Sequence, residues 1–245
     1  MKYQGSKSRI AKYIVPVIQF YIDKMGKECN GYWEPFVGGA NVIDKIEYPY
    51  KYGSDLNKYL IALLATARDN VDEIPDTISQ IEYDKVRNNK EAYPDWYVGL
   101  VGFCASYNSK FFGGYANGVR TKVGTVRNYT DEAIRNLKKQ ASNLKGIDFS
   151  VRDFSKCNSR HFVVYCDIPY RNSTNYATGE FPYDTFYTWC KEMSKDNIVL
   201  ISEYWMPEND FECIWQGELK CTLDHNKRET KIEKLFVVRG GYGIG

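Results

Sequence analysis

The sequence predicts an α/β fold built on a largely parallel sheet, and three features predict it. Short apolar or aromatic runs alternate with helix-like stretches along most of the chain. The clearest run, Val163 to Cys166, stops abruptly at a carboxylate, a proline and an aromatic ring, as strands do where a parallel sheet meets a ligand. The rhythm breaks once, from about Asp69 to Gly146, in a segment rich in Tyr, Asn, Gly and Lys that reads as an inserted subdomain.

In chain order, a helix is expected over Ser8–Met25, a strand over Tyr32–Phe36, and a second strand over Tyr50–Ser54 leading into a helix over Lys58–Arg68. After the insertion come a helix over Thr130–Leu144 and a strand over Ile147–Val151. Asp131 and Glu132 suit a first helical turn, and Thr130 offers half of a capping signal. Strands over His161–Cys166, Ile198–Tyr204 and Leu235–Val238, with a helix over Tyr183–Lys195, complete the pattern.

The 245 residues suffice for one sizeable core or one domain with a large insertion. A hydrophobic content of 43% argues against overall disorder, and a net charge of +2 excludes an indiscriminate polycation. Any nucleic-acid face is therefore local. Tyr107 to Lys145 carries eight basic residues against two acidic ones, a candidate phosphate-binding face that also fits a merely solvated basic surface. Seven scattered cysteines without metal-ligand spacing, and only two histidines, read as reduced thiols and no zinc site. Neither a signal segment nor a run of roughly 20 apolar residues is present, so a cytoplasmic protein is expected.

Three constellations carry chemistry. Glu34-Pro35-Phe36-Val37-Gly38-Gly39-Ala40-Asn41 follows a strand, and its paired glycines let the backbone approach a ligand closely. It is neither a dinucleotide fingerprint nor a phosphate-binding P-loop, so a nucleoside without phosphates fits better, although a plain structural turn fits as well. Ser54-Asp55-Leu56-Asn57 ends the next strand, where an acidic side chain can accept both ribose hydroxyls; a helix cap is the competing reading. Val163 to Tyr170 is an apolar strand ending in Asp167-Ile168-Pro169-Tyr170, at the mouth of a site or in a simple turn.

Together with Tyr3-Gln4-Gly5-Ser6-Lys7, these motifs resemble, in order and approximate spacing, the Dam-like DNA adenine methyltransferases of bacteria and their phages. Asn197 to Tyr204 and Lys231 to Val238 look like the same family. The resemblance implies a Rossmann-like S-adenosylmethionine-dependent methyltransferase sheet formed by residues 1–68 and 147–245, with a mainly helical target-recognition insertion over 69–146. It implies that Tyr3, Gly5 and Lys7 contact the cofactor S-adenosyl-L-methionine, that Glu34, Pro35, Phe36, Gly38 and Gly39 surround its methionine part, that Asp55 holds its ribose, and that Asn57 belongs to the same cofactor-binding set. Asp153 and Phe154 would flank its adenine, and Asp167 would border it.

Asp167, Ile168, Pro169 and Tyr170 correspond to the catalytic tetrapeptide, in which Ile168 replaces the usual Pro. The carbonyl that any residue supplies at that place makes this a lesser departure than a changed Asp. Tyr107-Asn108 resembles a pair used near DNA, and Lys110, Arg120, Lys122 and Arg127 are the expected phosphate contacts. The implied activity is methylation of the exocyclic amino nitrogen of adenine in double-stranded DNA with base flipping, by a monomer or weak dimer that needs neither metal nor membrane. Methylation of the cytosine amino group, or a catalytically impaired DNA-binding relative, are the alternatives; Asp167, where cytosine enzymes commonly carry Ser, favours adenine.

Overall fold

The structure, a computed structural model, describes residues 1–120, 124–170, 181–220 and 230–244. Among them is a seven-stranded sheet formed by β1 (Gly31–Glu34), β2 (Lys51–Asp55), β5 (Ile147–Val151), β6 (Phe162–Asp167), β7 (Ile198–Glu203), β8 (Phe211–Lys220) and β9 (Thr230–Val238). Its order is β5-β2-β1-β6-β7-β9-β8. The first five strands in that order pair in parallel, β9 runs antiparallel to β7, and β8 runs antiparallel to β9. A separate two-stranded hairpin joins β3 (Val119–Arg120) to β4 (Val126–Arg127). The mixed α/β class and the Rossmann-like arrangement expected from the sequence are thereby borne out.

Buried side chains alternate between two layers, as the two-residue period of a strand requires. Tyr32, Val163, Tyr165, Ile198, Leu200, Leu235 and Val237 pack with α1 (Ala11–Met25) and α2 (Lys58–Asp69). Trp33, Val164, Cys166, Val199, Ile201, Phe236 and Val238 pack on the opposite side with α6 (Tyr183–Met193). Helical spacing supplies the matching faces. Ile14, Ile18, Ile22 and Met25 of α1 are buried at four- and three-residue intervals, and Phe186, Trp189, Cys190 and Met193 of α6 likewise. Each such large apolar side chain contributes roughly 1.5–3 kcal/mol on burial.

Residues 69–146 contribute α3 (Gln80–Asn88), α4 (Asp95–Gly99), the hairpin and α5 (Tyr129–Gln140). This stretch shares the main core, because Val98, Leu100 and Val101 are fully buried with residues of α2. A Cβ at Gly99 would stand 2.1 Å from the carbonyl oxygen of Tyr59, so α4 rests directly on the backbone of α2.

Several element ends differ from expectation. β1 stops at Glu34 rather than Phe36, since Pro35 has no N–H to extend the ladder. Asn128, not Thr130, caps α5: its side chain accepts from the backbone of Thr130 and Asp131, while Thr130 lies buried inside the helix. β8 was not expected. The bulge between Cys213 and Trp215 resets its alternation, so no two-residue period runs through it. Among the described residues no helix is long and apolar enough to cross a membrane, and Cys29, Cys104, Cys157, Cys166, Cys190 and Cys213 are free thiols.

Candidate active site

The chain leaves β1 towards β2 and β5 on one side and later returns through β6 to β7 on the other, so strand order reverses between β1 and β6. In open α/β sheets such a switch point opens a crevice beyond the carboxyl ends of the strands. Glu34 ends β1, Asp55 ends β2, Asp167 ends β6, and Ser202 and Glu203 end β7. Of these, Glu34, Asp55, Asp167 and Glu203 line a cleft of about 1840 Å³ that also takes in residues 1–10, most of the loop from Glu34 to Val42, Phe154, Tyr204, Trp205 and Glu233.

One half of the cleft is backbone and aromatic surface. Gly38 has φ +46°, and a Cβ there would lie 2.9 Å from the Tyr3 ring. At Gly39 it would meet Asn41 Nδ2 at 2.6 Å and Tyr3 Cβ at 2.8 Å. The glycines thus let the amino-terminal segment lie directly on the loop. Gly5 turns that segment with φ +77°.

Asp55 accepts from the backbone N–H of Asn57 at 2.9 Å and from those of Gly38 and Leu56, yet burial raises its pKa above the usual carboxylate range. Asn57 caps α2 by accepting from Tyr59 and Leu60 at 3.1 and 3.2 Å, so the capping reading of that residue holds. Glu34 is buried and accepts from the Tyr32 hydroxyl at 2.6 Å; burial drives its pKa well up, with Asp167 and Asp44 adding to the rise and the Tyr32 bond and Lys45 opposing it. Pro35 sits among the same lining residues. Phe36, Phe154 and Phe181 stand at centroid distances of 5.4–6.1 Å and form an aromatic wall. Asp153 caps the short turn that follows it, accepting from Ser155 N and Oγ at 2.8 and 2.6 Å.

The other half is ionic. Lys7 Nζ lies 3.0 Å from Asp167 Oδ1 and 3.3 Å from Glu233 Oε1, and also bonds to the Tyr170 hydroxyl. That hydroxyl donates in turn to Glu233, and Ser202 Oγ donates to Glu233 at 2.6 Å. Burial pushes the Asp167 pKa up to about 6, with Lys7 pulling it down and Glu233 pushing it further up. For Lys7 the burial penalty acts downward, and the two carboxylates reverse it, so its pKa ends above normal. The Tyr170 ring stands beside the Lys7 ammonium at 4.1 Å and meets the Tyr204 ring at 4.4 Å and 73°.

Ile168 is 3% exposed and packs into the core layer of α6. Its side chain is structural, whereas the carbonyl of Pro169 accepts from the Tyr183 hydroxyl at 2.8 Å.

The structure therefore gathers Tyr3, Gly5, Lys7, Glu34 to Gly39, Asp55, Asp153, Phe154 and Asp167 to Tyr170 around one cleft. Lys7, expected beside a cofactor, lines the cleft and there pairs with Asp167 and Glu233. Tyr107 (64% exposed), Asn108 (φ +52°) and Lys110 stand on the rim. Arg120 is exposed on the hairpin, outside the cleft lining. Arg127 is exposed too, but its guanidinium is engaged by Glu132 at 2.7 Å and lies 5.0 Å from the centre of the Tyr129 ring. Lys122 lies outside the described residues. Sequence reasoning missed Ser202, Tyr204, Trp205 and above all Glu233. The signal available for Glu233 was a carboxylate beside the apolar strand Leu235–Val238, where no surface role calls for one.

Among solved structures the chain is similar to the rRNA methyltransferase aviRa from Streptomyces viridochromogenes, at 11% identity and a TM-score of 0.43, over 97% of this chain and 86% of that one. That likeness is too distant to bear on activity. No curated protein matches the chain. Residues 3–97, which hold three of the four motifs behind the resemblance, match the family described as D12 class N6 adenine-specific DNA methyltransferase. The resemblance to Dam-like adenine methyltransferases is thereby borne out over residues 3–97, where the chain matches the D12 class N6 adenine-specific DNA methyltransferase family.

Proposed function

We propose that the protein transfers the methyl group of S-adenosylmethionine to the N6 amino nitrogen of an adenine flipped out of double-stranded DNA. The observation that carries this reading is the opening of the Gly38-Gly39 loop, the Asp55 carboxylate and the Asp167 carboxylate onto one cleft at the switch point of the sheet. S-adenosylmethionine, when bound, supplies an electrophilic methyl on a sulfonium sulfur.

The residues present fit that group. Asp55 is pinned by backbone N–H groups and keeps lone pairs for a ribose diol. The glycine loop leaves room where side chains would collide. The wall of Phe36, Phe154 and Phe181 suits a flat heterocycle. In this reading Tyr3, Gly5 and Glu34 to Gly39 surround the donor, while Asn57 and Asp153 act through the turns they cap.

The adenine amino nitrogen is a poor nucleophile because its lone pair is delocalised into the ring. Asp167 and the carbonyl of Ile168 accept its two hydrogens, concentrating the lone pair on nitrogen and orienting it for an in-line displacement. As the N–C bond forms and the S–C bond breaks, nitrogen gains positive charge and sheds one proton. The Asp167 carboxylate, with a pKa pushed up to about 6, is suited to receive it near neutral pH. Tyr170 offers its ring to the extruded base, with unstacking costing a few kcal/mol. Tyr107, Asn108, Lys110, Arg120 and Arg127 face the duplex in this account. Pro169 fixes the backbone immediately after the Ile168 carbonyl.

The test is to measure transfer of labelled methyl from S-adenosylmethionine to DNA, with donor binding followed by calorimetry. Asp167→Ala is expected to abolish transfer and keep donor binding. Undiminished turnover in that variant rules out the assigned role.

A further inference from the structure

Glu233 is 1% exposed and stands outside the set of site residues expected from the sequence. It sits on β9, one residue before the Glu203–Lys234 pairing, and reaches back across β7 to the tip of β6. Its carboxylate takes a hydrogen bond from Ser202 Oγ at 2.6 Å and another from the Tyr170 hydroxyl, and it shares the ammonium of Lys7, 3.3 Å away, with Asp167. Two carboxylates thus surround one buried ammonium, and the ionised cluster carries a net charge of −1.

Fold stability does not account for this arrangement. A Lys7–Asp167 pair would already be neutral, and a third buried charge adds a desolvation cost of several kcal/mol. Buried ionic triads are commonly matched or exceeded in stability by apolar side chains of the same volume. The excess negative charge has a use in the reaction, because positive charge develops on the amino nitrogen as the methyl group arrives. A neutral Lys7–Asp167 pair offers little to that charge; the same pair beside the buried Glu233 offers a net anion at the edge of the cleft. Through its bond to the Tyr170 hydroxyl, Glu233 also fixes the ring set aside for the base.

We propose that Glu233 is a positioning residue for methyl transfer, acting through Lys7 and Tyr170 to hold the Asp167 carboxylate and the stacking ring in place and to keep the site anionic. The inference rests on the adenine methyltransferase reading above.

The experiment compares Glu233→Gln with wild type in single-turnover transfer of labelled methyl to DNA across pH 5–9, with thermal melting and donor binding measured in parallel. The other ionisable groups facing Asp167 are Lys7, Glu34, Tyr165, Cys166 and Tyr170, all kept in this variant. Expected are a drop of about tenfold or more in the transfer rate, donor binding and the DNA KM within about twofold, and an acid limb moved to lower pH. That shift follows because Lys7 then serves Asp167 alone. A wild-type rate overturns the proposal. So does a lowered rate with an unmoved acid limb, which is the signature of a purely structural group. Should Glu233→Gln fail to fold, Ser202→Ala removes one bond to Glu233, and a rate reduced about threefold at unchanged melting temperature supports the proposal, whereas an unchanged rate overturns it. Absence of transfer by the wild type counts instead against the reading beneath.

Discussion

Lys7 Nζ stands 3.0 Å from Asp167 Oδ1, tying a turn near the start of the chain to the tip of the sixth strand, 160 residues later. The pair closes the cleft over the carboxylate, and the interior around it disfavours charge strongly enough to lift the Asp167 pKa to about 6. Four predictions follow from this site and from the packing that holds it.

Asp167→Asn keeps the shape of the side chain and removes its charge. The transfer rate is expected to fall about a hundredfold or more, while the melting temperature at neutral pH holds or rises, because burial penalises the ionised carboxyl. Single-turnover kinetics and calorimetric melting on the same sample check both halves.

The same raised pKa fixes a pH dependence. Activity needs the carboxylate, so the rate is expected to fall as pH drops through about 6. Stability moves the other way: the contribution of this group is fully present below its ordinary value of 3.8 and is lost as pH rises through about 6. The melting difference between wild type and Asp167→Asn should therefore move against wild type as pH rises from 4 to 6.5, which paired scans at fixed ionic strength measure.

Gly38→Ala places a methyl group 2.9 Å from the Tyr3 ring at φ +46°. A strained backbone costs about 1–3 kcal/mol, and the amino-terminal segment must lift from the loop. Donor affinity is expected to weaken about tenfold or more, read by calorimetry.

Gly99→Ala tests the seam between α4 and α2. The added Cβ would lie 2.1 Å from the Tyr59 carbonyl oxygen, a clash with backbone that no rotamer relieves. A loss of about 2–3 kcal/mol in stability is expected from denaturant unfolding, with the cleft residues untouched.

The sheet was legible because its central strands are continuous apolar runs. Val163 to Cys166 and Ile198 to Ile201 are buried on both faces, and only such strands drop the alternation of a half-exposed sheet. The hairpin strand at Phe211–Lys220 was not, since its bulge breaks the two-residue pattern on which strand recognition depends. In the site, Gly38, Gly39, Asp55 and Asp167 were legible as strand-end residues whose types suit a ligand. Glu233 was not: its partners Lys7, Asp167, Tyr170 and Ser202 lie 31 to 226 positions away in sequence, and only the fold brings them together. Asn57 shows the converse, a residue whose type fitted a ligand and whose side chain caps a helix.

The central claim is tested most directly by incubating the protein with DNA and S-adenosylmethionine labelled in its methyl group, then hydrolysing the DNA to nucleosides and separating them. The account predicts label in N6-methyladenine with wild type and none with Asp167→Ala. Label in a cytosine product, or equal labelling of adenine by the variant, contradicts it.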